Sequence, residues 1–513
     1  MRALTKTAYR HRGDNPLTDS RLLASQALSR AAGAPLVAGN DVTLLKDGKE
    51  NYDAWLDAIA NAKSSILFES YIIHEDEVGD QFAEALIDRV REGVKIYLLY
   101  DWLGGYQKTS FRYWRRLRRA GVEVRCFNRF QFTDPLGSIT RDHRKTIVVD
   151  GKRGFVTGLC IGKLWLGDPA RGIDPWRDTG IEMRGPAVSD LTYAFARVWE
   201  TAGEPLPQSE LVKREDIPPA GDMDLRVVAT EPETSGVYRL DQLIAAAAKS
   251  RLWLTDAYYA GTAAYVQALV AAARDGVDVR LLVPGGSDIP VVRGVSRMGY
   301  RPLLEGGVRV FEWNGSMIHA KSAVADGTWA RVGSTNLNLA SWLTNWELDV
   351  AIENTSFAGE MEEMYAEDLA NSTEIVLNSW RHVRSSAKPA TRHRRGRRPG
   401  SAGRVVAGAL SIGKAVDAAI SRQRELGAAD AQPLAFMAIL MIVLAWVGYR
   451  WPRGIAYPVA IMLAWLAIGL LLRAWRLLRS SSAPSTEFEV KGASPRRTEA
   501  GVGALKEQTR DEH

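Results

Sequence analysis

DHRKTIVVDG at residues 142–151 and MIHAKSAVADG at residues 317–327 decide how this chain is read. Both contain the pattern H-x-K-x4-D, as His143, Lys145 and Asp150 in the first and His319, Lys321 and Asp326 in the second. They are the only H-x-K triplets in a chain with seven histidines. Each lies in a stretch of strand character. Alternate residues of a strand point to one face, so each His and Lys should share a face, roughly 7 Å apart. An imidazole able to act as nucleophile or acid/base then lies beside an ammonium able to hold a phosphate oxygen. Two copies with one internal spacing, the histidines 176 residues apart, argue against chance surface or core histidines.

The chain repeats beyond these strings. SSILFESYI (64–72) parallels SRLWLTDAYY (250–259), each an apolar strand ending in an acid with Tyr two residues later: Glu69 and Tyr71, Asp256 and Tyr258. ALIDRVREGVKIYLLYD (85–101) parallels ALVAAARDGVDVRLLVP (268–284). Both read as a helix stopping at Gly93 or Gly276, where left-handed backbone is tolerated, followed by an apolar strand. A strand–helix–strand unit used twice predicts an α/β fold of two sandwich halves. Halves related by a pseudo-two-fold axis would present two imidazoles across one phosphate.

These motifs resemble the signature of the phospholipase D superfamily and, within it, the bacterial cardiolipin synthases. The family pattern continues from the Asp through six residues to G-S-x-N. The second copy matches it with Gly333, Ser334, Thr335 and Asn336, whereas the first has Thr157, Gly158, Leu159 and Cys160. Gly in place of the motif Ser is familiar among cardiolipin synthases; Cys in place of Asn is a departure. A thiol cannot reproduce the paired donors of an amide. The likeness covers roughly residues 40–375. It implies a phosphohistidine intermediate, with the second histidine protonating the departing alcohol and then deprotonating the acceptor; His143 is the nucleophile by analogy. It also implies that Lys145, Lys321, Ser334 and Asn336 stabilise the phosphate oxygens, so that no metal or other cofactor is required. Asp150 and Asp326 belong to the motif, but each closes its strand before a Gly and suits a turn equally well. Glu347 stands eleven residues after Asn336, where the family has an acid, and Asp178 stands eighteen after Cys160. These carboxylates would orient the imidazoles, Glu347 serving His319 and Asp178 serving His143.

Formal net charge is +6, and the pI of about 9.1 invites a nucleic-acid reading. Nine Lys and Arg with no acidic residue fall between Arg381 and Arg404, which leaves the remaining residues near −3. The basic excess therefore belongs to a linker, and no nucleic-acid partner is expected. Two cysteines, Cys126 and Cys160, provide no disulfide framework. The basic N-terminus lacks the apolar core of a secretory signal. Residues 431–449 and 454–472 are uncharged stretches of 19 residues each. As helices each would span about 29 Å, the thickness of a bilayer's hydrocarbon core. They predict a C-terminal transmembrane helical hairpin. Arg and Lys flank it on both outer sides, so both ends, and the catalytic body, should face the cytoplasm at the cell (inner) membrane. The expected division is an N-terminal extension (1–40), two halves (41–210 and 211–375), a basic linker with an amphipathic helix (376–430), the hairpin (431–472) and a tail (473–513).

The resemblance thus implies a membrane phosphatidyltransferase, a cardiolipin synthase, with phosphatidylglycerol as substrate and an anionic membrane surface as partner. Hydrolytic phospholipase D action, a nuclease of the same superfamily and a non-catalytic scaffold are the alternatives.

Overall fold

The computed structural model describes residues 16–129, 140–377 and 383–385, together with helical positions scattered between 439 and 471. The first half runs β1 (Val37–Lys46), α2 (Asp47–Ala60), β2 (Ser65–Ser70), α3 (Glu77–Arg91), β3 (Lys95–Asp101), α4 (Trp102–Gly105), α5 (Phe111–Ala120), β4 (Glu123–Phe127), β5 (Lys145–Val149), β6 (Arg153–Thr157), β7 (Thr179–Arg184) and α6 (Val188–Thr201). The second runs β8 (Met223–Thr230), α7 (Gly236–Ala247), β9 (Arg251–Thr255), α8 (Ala263–Arg274), β10 (Asp278–Pro284), α9 (Pro290–Glu305), β11 (Arg309–Trp313), β12 (Ser322–Ala325), β13 (Trp329–Gly333), α10 (Leu339–Leu343), β14 (Glu347–Glu353) and α11 (Thr355–Ala370). A helix α1 (Pro16–Ala32) precedes them, and β15 (Ser372–Leu377) and β16 (Val383–Ser385) follow.

All sixteen strands form one sheet, in the order β16-β15-β11-β10-β9-β12-β13-β14-β8-β1-β7-β6-β5-β2-β3-β4. Outward from the central β8–β1 pair, β8-β14-β13-β12-β9-β10-β11 mirrors β1-β7-β6-β5-β2-β3-β4 strand for strand. The duplication is therefore complete, and the halves meet through an antiparallel pair with Val37 opposite Leu225 and Asn40 opposite Met223. In each half three strands are parallel because a helix returns the chain between them (β2-β3-β4 and β9-β10-β11). Gly93 at φ 89° and Gly276 at φ 94° end those helices in the left-handed region, as their places in the sequence suggest.

A central core joins the halves: Val148, Val156 and Met183 pack with Val332, Val350 and Ile352, beneath Phe195 and Trp199 of α6 and Phe357 and Met361 of α11. The strands β5, β6, β12 and β13 are buried almost throughout, since helices or the other half cover both faces. The described part of the N-terminal extension packs on the second half: Arg226 donates to Ser25 O (3.1 Å) and Ser29 Oγ (3.2 Å) of α1.

Apart from residues 376–377 and 383–385, the basic linker, the amphipathic helix expected in it, the tail and residues 1–15 lie outside the described residues. Among the described residues no helix is long and apolar enough to cross a membrane. The two 19-residue stretches are described only at scattered positions; these are helical, and Ile439, Trp446, Ile461 and Leu471 are 60–69% exposed.

Candidate active site

Neither histidine lies within a strand. Lys145 opens β5 and Ser322 opens β12, so His143 and His319 occupy the extended approaches to them. Each approach is clamped by the other half. His143 N donates to Trp346 O (2.9 Å) and Trp346 N to Arg141 O (2.7 Å); Arg177 N donates to Met317 O (2.9 Å) and His319 N to Arg177 O (2.7 Å).

That clamping crosses the carboxylates. His143 Nδ1 lies 2.9 and 3.0 Å from the two Glu347 oxygens, and His319 Nδ1 lies 2.8 Å from Asp178 Oδ2. The expected pairing within each half is therefore wrong: the acid of one half serves the histidine of the other. Glu347 opens β14 directly after Trp346, and Asp178 directly precedes β7 after Arg177, so the bridging backbone delivers each carboxylate across the junction.

Two buried arginines lock this arrangement, and sequence reasoning missed both. Arg144 donates to Glu347 O (3.1 Å), Ala194 O (2.9 Å) and Thr230 O (3.1 Å), tying the first motif to the second half. Arg177 pairs with Asp368 (2.8 Å) and Asp47 (3.1 Å). Arg144 occupies the middle of the first H-x-K, where the second copy has Ala320, so the repeat carried no signal for it.

The lysines lie close to the imidazoles. Lys321 Nζ is 3.1 Å from both ring nitrogens of His319 and donates to its carbonyl; Lys145 donates to the carbonyl of His143. Tyr71 and Tyr258, from the paralleled strand ends, face the histidines edge-on, with centroids 4.9 and 5.7 Å away. Trp165 and Trp176 add further ring contacts to His319, at 5.8 and 5.7 Å.

The remaining motif residues divide. Ser334 Oγ donates to Glu347 Oε2 (2.6 Å) and accepts from Leu348 N (3.0 Å), so it supports the acid behind His143. Asn336 is buried, and its Oδ1 has no hydrogen-bond partner among the described residues. Cys160 is buried, and Cys126 is a second free thiol. Burial raises the pKa of Cys160, against the pull of Lys145.

Asp150 and Asp326 stand apart. Each lies at the far end of its strand with positive φ (54° and 52°), and Asp150 is about 16 Å along the strand from Lys145. Asp150 accepts the amides of Lys63 (2.9 Å), Ser64 (2.7 Å) and Ser65 (3.1 Å) and the Ser64 hydroxyl (2.8 Å). Asp326 repeats the pattern on Lys249, Ser250 and Arg251. As members of a catalytic set they are corrected here: they fasten strand ends, out of reach of the histidines.

Burial lowers the pKa of both histidines. His319 falls to about 4, driven down further by Lys321 against the opposing pull of Asp178. Burial also brings Lys321 down to about 8. It would raise the two carboxyls, but the facing imidazoles and lysines hold Asp178 and Glu347 below the ordinary range. The resting site thus holds neutral imidazoles with Nδ1–H turned to ionised acids, and the Lys321 ammonium stands 3.1 Å from Nε2 of His319. No group of three metal-ligating side chains occurs among the described residues.

The family profile described as cardiolipin synthase, PLD-like domain, matches residues 55–162 and 240–369, one segment in each half. Cardiolipin synthase A of Pseudomonas aeruginosa is 36% identical over 373 residues, covering 70% of this chain and 73% of that protein. The chain belongs to the cardiolipin synthase family. A cardiolipin synthase of Alkalihalophilus pseudofirmus is 34% identical over 352 residues, covering 68% of this chain and 70% of its own length. The enzyme is accordingly a phosphatidyltransferase of phospholipase D type. Its fold is shared by the crystal structure of phosphatidylserine synthase from Haemophilus influenzae (TM-score 0.55, 13% identity, covering 68% of this chain and 91% of that one). Trp165, Trp176 and Asp178 fall between the two profile segments, in a stretch that is longer in the first half, Asp178 standing 18 residues after Cys160 and Glu347 11 after Asn336.

Proposed function

We propose that the protein makes cardiolipin by moving a phosphatidyl group from one phosphatidylglycerol to a hydroxyl of another, releasing glycerol. The observation that carries this reading is the crossed pair: two neutral imidazoles, each with Nδ1 held by a buried carboxylate, in a chain of the cardiolipin synthase family. His143 Nε2 attacks phosphorus, forming the N–P bond as the P–O bond to glycerol breaks, and His319 gives its proton to the glycerol oxygen. In the second step the acceptor hydroxyl loses its proton to His319 and attacks phosphorus, and the N–P bond breaks.

Arrival of the substrate supplies the proton that this sequence needs. In the resting site Lys321 disfavours a charged His319 at 3.1 Å. A phosphodiester anion attracts that ammonium to its own oxygens and favours an imidazolium nearby, so proton uptake accompanies binding. Lys145, Lys321 and the Asn336 amide then hold charge on the non-bridging oxygens. Ser334 acts through Glu347.

The C-terminal stretches are read as a membrane hairpin over 431–472, reached through the basic linker (376–430), with the catalytic body (41–375) on the cytoplasmic side. This reading is supported by the exposed apolar side chains at the described helical positions, such as Ile461 and Leu471, both 69% exposed, which water disfavours and lipid accepts. Basic residues beside an anionic leaflet contribute about 1 kcal/mol each. The test is incubation of the purified full-length protein with labelled phosphatidylglycerol. Cardiolipin and glycerol are expected; phosphatidic acid alone would show that water is the acceptor and overturn the transfer reading.

A further inference from the structure

The two carboxylates that orient the histidines are held by different donors, and this asymmetry has a cause in the sequence. Ser334 bonds Glu347 Oε2, the oxygen that also lies 2.9 Å from His143 Nδ1. The corresponding position in the first half is Gly158, and a Cβ there would lie 2.4 Å from Asp178 Oδ1 and 3.2 Å from its Cγ. Asp178, one methylene shorter than Glu347, occupies the space in which a serine would have to stand. Its Oδ2, the oxygen bonded to His319 Nδ1, instead accepts a hydrogen bond from Trp165 Nε1 at 3.0 Å. Both halves thus place one donor and one imidazole on a single carboxylate oxygen, with different chemistry supplying the donor.

We propose that Trp165 is the positioning residue for the Asp178–His319 pair, its indole N–H replacing in the first half the hydroxyl that Ser334 provides in the second. The proposal rests on the two-histidine transfer reading above and adds a residue outside the H-x-K and G-S-x-N motifs. Trp165 is well fixed for this task. Its side chain is 2% exposed, and a Cβ on Gly48, near the start of α2, would come within 2.9 Å of its own Cβ. The ring meets His319 edge-on at 81° and also contacts Trp176, with centroids 5.1 Å apart. One side chain therefore both donates to the acid and walls the imidazole from water. An indole N–H cannot rotate away or accept a proton, whereas a serine hydroxyl can do both. Asp178 is accordingly kept as an ionised acceptor, and His319 keeps its Nδ1–H tautomer with Nε2 toward the substrate.

The test is full-length protein carrying 3-benzothienylalanine at position 165, which preserves the bicyclic ring and replaces N–H by sulfur. A hydrogen bond to a buried charge is lost, so kcat on phosphatidylglycerol should fall about ten- to a hundredfold, with KM unchanged. In ¹⁵N-histidine spectra of the unreacted enzyme the His319 pKa should rise, because a carboxylate relieved of one donor is the stronger base and favours the imidazolium. The His143 resonances should stay in place. Trp165→Phe should reproduce both effects. Wild-type kcat together with an unchanged His319 titration in the benzothienyl enzyme would overturn the proposal and reduce Trp165 to a packing residue. Because the spectra need no turnover, they decide this point even if the wild-type protein yields only phosphatidic acid, which would sink the transfer reading instead.

Discussion

Glu347→Gln separates the crossed pairing from an arrangement within each half. The substitution keeps shape and one acceptor oxygen but removes a charge 2.9 Å from His143 Nδ1, in a residue with no exposed surface. With charge centres about 4 Å apart and an effective dielectric near 20, the lost attraction for an imidazolium is on the order of 4 kcal/mol. That corresponds to up to about three pKa units. The retained hydrogen bond and relaxation will absorb part of it. The sign is definite: Glu347 is a group that raises the pKa of His143 against burial, so its neutralisation drives the value further down. We expect the His143 resonances in ¹⁵N-histidine spectra to titrate at least about one unit lower while His319 barely moves. Asp178→Asn should shift His319 and spare His143. Turnover should fall about 10²–10³-fold in each variant, since an imidazolium on the reaction path loses its counter-charge. If Glu347→Gln shifts His319 and leaves His143 unchanged, the crossed geometry is wrong.

His143→Ala and His319→Ala should each abolish turnover and leave the thermal midpoint close to that of the parent; substantial activity in either would end the two-histidine mechanism. The free-enzyme profile, kcat/KM against pH, should decline above about 4 because His319 must take up a proton, and steepen as pH rises through about 8, where Lys321 loses the charge that holds a phosphate oxygen; an unchanged slope up to pH 10 would refute that role. Asp326→Ala removes four hydrogen bonds at a partly exposed strand end and should cost about 2–4 kcal/mol in chemical denaturation, while kcat per folded molecule persists; loss of kcat without loss of stability would restore Asp326 to the catalytic set. A protein ending at Leu377 should act on detergent-dispersed lipid and lose most of its rate on vesicles; full activity on vesicles would show that the C-terminal stretches do not recruit substrate.

The repeat was legible because its signals are local. Period-2 apolar runs, a glycine after each helix and identical H-x-K spacing announce the strands, the duplication and four of the site's side chains without reference to anything distant in the chain. Glu347 and Asp178 were legible as acids of the site, but their partners were not. Counting residues from each motif assigns an acid to the nearest histidine in sequence, whereas the partner is set by how β8 docks on β1 and by the bridges Asp142–Trp346 and Arg177–Ile318. Asp150 and Asp326 misled for the opposite reason. Their fixed distance from the lysines marks the length of a strand, and a strand carries its last residue away from the chemistry at its start. Arg144 and Trp165 were invisible because neither has a counterpart in the other half, so the repeat carried no signal for them.

Crossed acids have a consequence for the duplication. Neither half could orient its own histidine in this geometry; each needs an acid delivered from across the β1–β8 junction. Carrying both halves in one chain makes that encounter permanent. It also removes an obligation, for in a homodimer every substitution appears twice, and a glycine and tryptophan suited to aspartate would be imposed on both sites. In one chain Gly158, Cys160 and Trp165 can stand in one half while Ser334 and Asn336 stand in the other. The lopsided site is what duplication permits and symmetry forbids.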